Sequence, residues 1–228
     1  MERTLASLER LLAQSGPACE LIVVDGGMSP RTARRTEALG ESVRLISEPD
    51  TGIYDAMNKG VDAANGGHLW FLNGGDECLV RWSQLSVLLD THERSVILAD
   101  FVLTAGSRDR RRTTRPARSM WHALPTSHQA IFYPAAQVSH RYDKSFRVAA
   151  DYDFTAKLYA SGVPFAVEHT AVARFHLDGT STQHARMIGA EARRVQQDTL
   201  SVHPAVSFLS GLRHVAARKY RSLLSRGQ

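Results

Sequence analysis

Two short segments set a carboxylate and paired glycines directly after an apolar run. Leu21–Val24 leads into Asp25-Gly26-Gly27, and Phe71-Leu72 leads into Asn73-Gly74-Gly75-Asp76. In an open α/β sheet, ligands gather just beyond the carboxyl ends of the strands. Taken singly, each segment reads first as a turn in which Gly supplies positive φ and Asp caps the next helix. Two such ends at equivalent positions point instead to a phosphate or nucleotide site. Neither matches GxGxxG or a P-loop, so dinucleotide and ATP-hydrolase chemistry are poorly supported. No histidine pair has zincin spacing. The two cysteines, Cys19 and Cys78, lack CxxC spacing, which fits a reducing compartment and argues against a disulfide framework or zinc ribbon.

The elements that must position these residues alternate along the first half. Leu5, Leu8, Leu11 and Leu12 recur at helical spacing, and Leu21–Val24 reads as a strand. Residues 31–39 read as a helix, Val43–Ile46 as a strand, Tyr54–Ala64 as a helix, Leu69–Leu72 as a strand and Leu85–Leu89 as part of a helix. This βαβα order predicts an α/β fold with a mainly parallel, Rossmann-type sheet flanked by helices. In the second half Ser95–Leu103 and Ala130–Tyr133 read as strands, with an arginine-rich hairpin or loop between them. A helix follows to about Ala160, then a strand over Phe165–Phe175, a polar loop over His176–Thr182, and helices over 184–200 and 205–224.

A chain of 228 residues, 43% hydrophobic and 22% charged, can bury a core without metals or disulfides. It divides into one domain over 1–203 and a basic amphipathic helix over 204–228. No apolar run has the length of a membrane span, and Met1–Leu12 reads as an amphipathic helix with no visible signal peptide. A cytoplasmic protein is expected. The net charge of +5 is clustered at Arg108–Arg118 and again at Arg213, Arg218, Lys219, Arg221 and Arg226. Such clusters suit nucleic acid, anionic lipid or phosphorylated substrates, and equally a solvated surface. With no RNP-like aromatics, helix-turn-helix or zinc-finger signal, nucleic acid is not an expected partner. Val206, Leu209, Leu212, Ala216, Tyr220 and Leu223 recur at helical spacing among the C-terminal cations. That pattern suits a helix on an anionic membrane surface, or one packed on its own domain.

The stretch Ser47-Glu48-Pro49-Asp50-Thr51-Gly52-Ile53-Tyr54-Asp55-Ala56-Met57-Asn58-Lys59-Gly60 strongly resembles the signature of family 2 glycosyltransferases, inverting enzymes of the GT-A fold. The nearest likeness is to bacterial members that build capsular, exopolysaccharide or cell-envelope glycans. Leu21–Gly27, Phe71–Asp76, Ser127–Tyr133 and Ala150–Phe154 resemble further family segments in collinear order across about residues 5–182. The resemblance implies a nucleotide-sugar donor held by Asp25, Gly26, Asp50, Gly52 and Asn58. It implies Mg²⁺ or Mn²⁺ on the donor diphosphate, bound by Asp76. Asp151 would be the general base that takes the proton from the acceptor hydroxyl, its plainer reading being a helix N-cap. Asp153 would orient that base or the acceptor, or simply complement the helix dipole. His128 and Gln129 would touch donor or acceptor, or serve as a structural pair. His176 and Ser181 fall in the likeness of a loop that closes over the donor.

Three departures from the family pattern stand out. The family's central first strand, ending in Pro-Thr/Ser-x-Asn, has no counterpart ahead of the first helix, a condition that leaves neighbouring strands with unpaired backbone groups. Met28-Ser29-Pro30 replaces the common Ser-Thr-Asp, and Asn-Gly-Gly-Asp replaces a motif richer in carboxylates. The expected function is transfer of a sugar from a UDP- or GDP-sugar to a glycan or lipid-linked acceptor, with peripheral contact at the inner membrane face. The alternative is a catalytically silent nucleotide-sugar-binding or scaffold relative.

Overall fold

The computed structural model describes residues 1–40, 43–176 and 185–213. Helix α1 (Glu2–Ser15) buries Leu5, Leu8 and Leu11, the apolar positions that its sequence spaces three apart. Strand β1 (Leu21–Val24) follows, then α2 (Pro30–Glu37), whose N-cap Ser29 accepts from the Thr32 amide. Strand β2 (Val43–Ile46) pairs in parallel with β1. Helix α3 (Ile53–Ala63) opens at Gly52, where φ is 128° and a side chain would be strained. Then come β3 (His68–Trp70), β4 (Glu77–Cys78), α4 (Trp82–Thr91), β5 (Val96–Ala105), β6 (Arg108–Arg112) and β7 (Ile131–Pro134). Helix α5 (Ala150–Ala160), β8 (Phe165–His176) and α6 (Ala185–Arg194) complete the core. A π-helical turn over Val195–Thr199 precedes α7, which spans 204–213.

The larger sheet runs β3-β7-β5-β8-β4, with β6 beside β5. Its centre is β5, whose first five residues, Val96–Asp100, are buried. One edge of β5 pairs with β8 in parallel, while β7 and β6 share the other edge. Here the sequence expectation needs correction: the α/β architecture stands, but the sheet is mixed. Among the described residues only β1–β2 and β5–β8 are parallel; the β3–β7, β5–β7, β5–β6 and β4–β8 pairings are antiparallel. The β5–β6 turn at Gly106 is far too short for a parallel crossover. A continuous apolar run marks a buried strand and carries no information on its direction. The arginine-rich stretch is a true hairpin, fastened by Arg111, which donates from Nη2 to Asp100 at 3.0 Å.

Strand β1 pairs with β2 and β3 with β7; among the described residues the two are not joined to each other. Both line an apolar cavity of about 1480 Å³, walled also by Leu5, Leu8 and Leu11 of α1 and Met57 of α3. No helix among the described residues is long and apolar enough to cross a membrane.

Candidate functional site

Helix α1 braces the Asn73–Asp76 turn. Thr4 Oγ1 donates to the Asn73 carbonyl at 3.2 Å and accepts from the Gly75 amide at 2.8 Å. Gly75, at φ 116°, turns the chain so that Asp76 is buried, its amide bonded to the Asn73 carbonyl at 3.1 Å. Asp76 Oδ1 also accepts from the His176 amide at 3.3 Å. The neighbouring Glu77 is committed to Arg174 at 2.9 Å and to His176 Nε2 at 2.7 Å. Burial opposes the charge on Glu77, but His176 and Arg174 outweigh it and hold the carboxyl below its usual range.

Asp76 and Glu77 are the two carboxylates at this turn, and Glu77 is held by Arg174 and His176. Among the described residues no group of three His, Cys, Asp or Glu forms a metal cage. Mg²⁺ is commonly held by one or two carboxylates together with substrate phosphates. The donor set here fits an ion that arrives with a diphosphate and does not fit a preformed protein site.

Asp25 and Asp50 meet at the carboxyl ends of β1 and β2. Asp25 accepts from the Gly27 amide at 3.1 Å and the Ser29 amide at 2.9 Å. Asp50 Oδ1 accepts from the Gly52 amide at 2.9 Å, and its carboxylate lies directly against Gly26. The sequence places these residues 25 apart; the parallel β1–β2 pair makes them neighbours.

Asp151 stands in the first turn of α5, its Oδ1 accepting from the Tyr152 amide at 2.8 Å. It lines a cavity of about 250 Å³ shared with Ile53 and Tyr54 of α3, Asn73, Ser127, His128 and Gln129. Burial raises its pKa to about 6, against the pull of its backbone hydrogen bonds. The start of α3 joins the two halves of the site, since Gly52 bonds to Asp50 and the next two residues reach the Asp151 cavity. Beneath lies an aromatic column in which Tyr142 stacks on Phe154 at 4.2 Å and on Tyr54 at 5.8 Å. His128 Nε2 meets the Tyr142 hydroxyl at 2.7 Å, and burial lowers its pKa to about 4, so it is neutral at physiological pH. The Ser127 hydroxyl donates to Gln129 Oε1, and Trp70 Nε1 donates to the Gln129 carbonyl at 2.8 Å.

Three more of the residues singled out from the sequence are placed as follows. The Asn58 side-chain amide donates to the Tyr142 carbonyl at 2.9 Å and accepts from the Tyr142 amide at 2.7 Å, a bidentate clamp across 84 positions. Asp153 points away from the cavity, held by Lys157 at 2.7 Å and Thr199 at 2.7 Å, because two residues along a helix turn about 200°. His176 ends β8 and pairs with Glu77, so it belongs to the sheet and not to a loop. Ser181 lies outside the described residues. Sequence reasoning missed Tyr54, Asn73 and Ser127 as cavity walls, although each lies inside a segment already singled out.

A family model described as glycosyl transferase family 2 matches residues 2–175. The chain belongs to glycosyl transferase family 2. A PGL/p-HBAD biosynthesis glycosyltransferase of Mycobacterium bovis is 30% identical over 165 residues, 68% of this family 2 chain and 64% of the relative. A counterpart of the same description in Mycobacterium tuberculosis matches equally well. The chain thus spans 64% of the length of these curated relatives. TarS of S. aureus in complex with UDP-GlcNAc superposes with a TM-score of 0.65 at 16% identity, covering 90% of this chain and 65% of TarS. The mannosyltransferase PcManGT of Pyrobaculum calidifontis, in complex with GDP-Man and Mn²⁺, gives 0.60 at 13% identity, covering 97% and 74%. These likenesses show that the family 2 chain has the fold of those glycosyltransferases.

Proposed function

We propose that this chain is an inverting glycosyltransferase that moves a sugar from a UDP- or GDP-sugar to a glycan or lipid-linked acceptor. The observation that carries the reading is the Asp151 cavity. A carboxylate with pKa near 6 faces Asn73 of the Asn-Gly-Gly-Asp turn and the start of the helix whose Gly52 binds Asp50. Asp25, Gly26 and Asp50 hold the nucleoside at the β1–β2 end, with carboxylate oxygens accepting from base N–H groups. Asp76 would hold Mg²⁺ or Mn²⁺ together with the donor diphosphate, and the ion would supply charge neutralisation for the leaving group. Asp151 takes the proton from the acceptor hydroxyl as that oxygen attacks the anomeric carbon from the face opposite the diphosphate. A base of pKa near 6 is ionised at neutral pH yet stronger than an ordinary carboxylate, the balance that suits general-base catalysis.

The fold likeness to proteins crystallised with UDP-GlcNAc and GDP-Man supports the donor class, and the PGL/p-HBAD description of the mycobacterial relatives supports a lipid-linked acceptor. Helix α7 supports contact with the inner membrane face. Its buried positions are Ser207 and Ser210, whereas Val206, Phe208, Leu209 and Leu212 are exposed. The test is transfer or donor hydrolysis by the purified protein with Mn²⁺, comparing Asp151→Asn. Turnover that the substitution abolishes supports the reading, and equal turnover in both overturns the base assignment. The thinned carboxylate set at Asp76 favours a second reading, a silent nucleotide-sugar-binding protein. Saturable donor binding without turnover under the same conditions would establish it.

A further inference from the structure

The segment that delivers Asp151 to the cavity is gripped from two sides. On one side α3 binds it three times: Asp62 to Arg141 at 2.7 Å, Asn58 to the Tyr142 backbone, and Asp55 to Lys144 at 2.9 Å. On the other side α6 lays Glu191 and Arg194 across it. Arg194 stacks its guanidinium 4.1 Å above the Phe146 ring and lies 3.5 Å from Asp143. Glu191 Oε1 accepts from the Arg147 amide at 2.9 Å, while Oε2 accepts from the amides of Val148 at 2.9 Å and Ala149 at 3.0 Å.

Three consecutive amides turned toward one point make a concave anion site of the kind that often holds a ligand phosphate. Here the protein fills it with its own carboxylate. The N-cap of α5, Ala149, offers no side-chain cap, so Glu191 supplies from a distance what a local Ser or Asp would supply. These amides immediately precede the α5 turn that carries Asp151. Whatever fixes their direction fixes the direction in which Asp151 leaves the backbone.

We propose that Glu191 is a positioning residue for Asp151, holding the 147–149 turn by its carboxylate and setting the charge that the base meets. The proposal rests on the assignment of Asp151 as general base. The groups that face Asp151 are Tyr54 from α3, Tyr133 from β7, Tyr142 from the segment ahead of α5, and Glu191 from α6. The three phenols are held protonated, since burial pushes each well above its usual range. The fourth group is the Glu191 carboxyl, whose electrostatic effect on Asp151 adds to that of burial.

The test compares wild type, Glu191→Gln, Glu191→Ala and Asp151→Asn in the full chain. In Glu191→Gln the shape is kept and the charge lost. The Asp151 carboxyl, followed by its ¹³C resonance through a pH titration, should then titrate lower by about half a unit. The acid limb of kcat should move with it. Glu191→Ala should lower kcat about tenfold or more with the donor KM within about twofold, and acetate or formate should restore part of that loss. An unmoved Asp151 titration in Glu191→Gln, or a kcat in Glu191→Ala equal to wild type, overturns the proposal. So does a loss in Glu191→Ala that follows a lowered Tm and that no carboxylate restores. Asp151→Asn separates the two levels: full activity in that variant overturns the base, whereas an inactive Asp151→Asn beside a fully active Glu191→Ala overturns only the positioning role.

Discussion

The carboxylate of Asp50 occupies the space that a side chain at position 26 would need. A Cβ on Gly26 would fall 1.7 Å from Asp50 Oδ2, a separation that no non-bonded pair of heavy atoms tolerates. The approach is by the far end of a side chain, so a methyl group at position 26 would displace the Asp50 carboxylate before it moved the backbone, and Gly26 has no positive φ to defend. Gly26→Ala should therefore drive Asp50 off the Gly52 amide, which it now accepts at 2.9 Å. Nucleotide affinity measured calorimetrically with UDP and GDP should fall about tenfold, with little change in Tm. Asp50→Ala should cost a similar factor, and the double variant should cost no more than either single one, since both act on the same carboxylate. Additive losses would mean that Gly26 and Asp50 serve nucleotide binding separately.

Asp151 is the second point at which structure and chemistry meet. Its folded pKa near 6 lies above the unfolded value near 3.8, so the folded state binds the proton more tightly. Stability should rise as pH falls from above 6 toward 4, and the ionised base is a burden on the fold at pH 8. Asp151→Asn removes that burden, and its Tm should exceed wild type at pH 8 by an amount equivalent to on the order of 1–2 kcal/mol, allowing for partial solvent exposure. The gap should close near pH 4. Turnover should fall about a hundredfold or more at every pH, and wild-type kcat should decline below an apparent pKa near 6. A variant that is both inactive and less stable at pH 8 would place Asp151 among structural caps.

The divalent ion should bind with the nucleotide and poorly without it. Glu77 is taken by Arg174 and His176, and no cage of three ligands exists among the described residues, so Asp76 must share the ion with phosphate oxygens. Mn²⁺ followed by electron paramagnetic resonance should show weak binding to the protein alone and at least about tenfold tighter binding with UDP present. Asp76→Asn should abolish the enhancement while leaving metal-free UDP binding within about threefold. Tight binding of Mn²⁺ in the absence of nucleotide would point to a preformed site elsewhere in the chain.

What the sequence made legible depended on distance along the chain. Asp25 and Asp76 could be picked out because glycines beside a strand end announce a backbone that must be approached, whereas Asp50 entered only through the family resemblance of the stretch around it. Asp151 stood out within Ala-Asp-Tyr-Asp-Phe, but nothing in that string tells which of its carboxylates faces the cavity; the helical step of about 100° per residue decides it, and sends Asp153 to Lys157. The Asn58 clamp could not be foreseen because its partner, the Tyr142 backbone, lies 84 positions away. Glu191 was invisible for the same reason, as its three amides precede it by 42–44 positions. Strand existence followed from apolar runs such as Val96–Ala99, whereas strand direction is set by connection geometry that no run encodes.

Helix α7 turns the ordinary amphipathic arrangement inside out. Its inward face is polar: Ser207 donates to Gln196 Oε1, and the Ser210 hydroxyl meets His122 Nδ1 at 2.6 Å and the Gln196 amide at 3.1 Å. Phe208 and Leu209, exposed by 55% and 58%, and Leu212 at 49% form an outward stripe that the domain does not cover. Burying such a stripe in water-free surroundings is worth about 1.5–3 kcal/mol per large side chain, enough for weak surface binding and not for insertion. Residues 204–228 also carry Arg213, Arg218, Lys219, Arg221 and Arg226 and no Asp or Glu, a charge pattern that selects an anionic partner surface. The protein should therefore pellet with phosphatidylglycerol-containing vesicles and not with phosphatidylcholine vesicles, and release as salt rises. Phe208→Ser with Leu209→Ser and Leu212→Ser should abolish pelleting while leaving UDP affinity unchanged, because the Ser207 and Ser210 contacts hold α7 in place. Should the triple variant pellet like wild type, the outward stripe makes no lipid contact and the cations alone account for any binding.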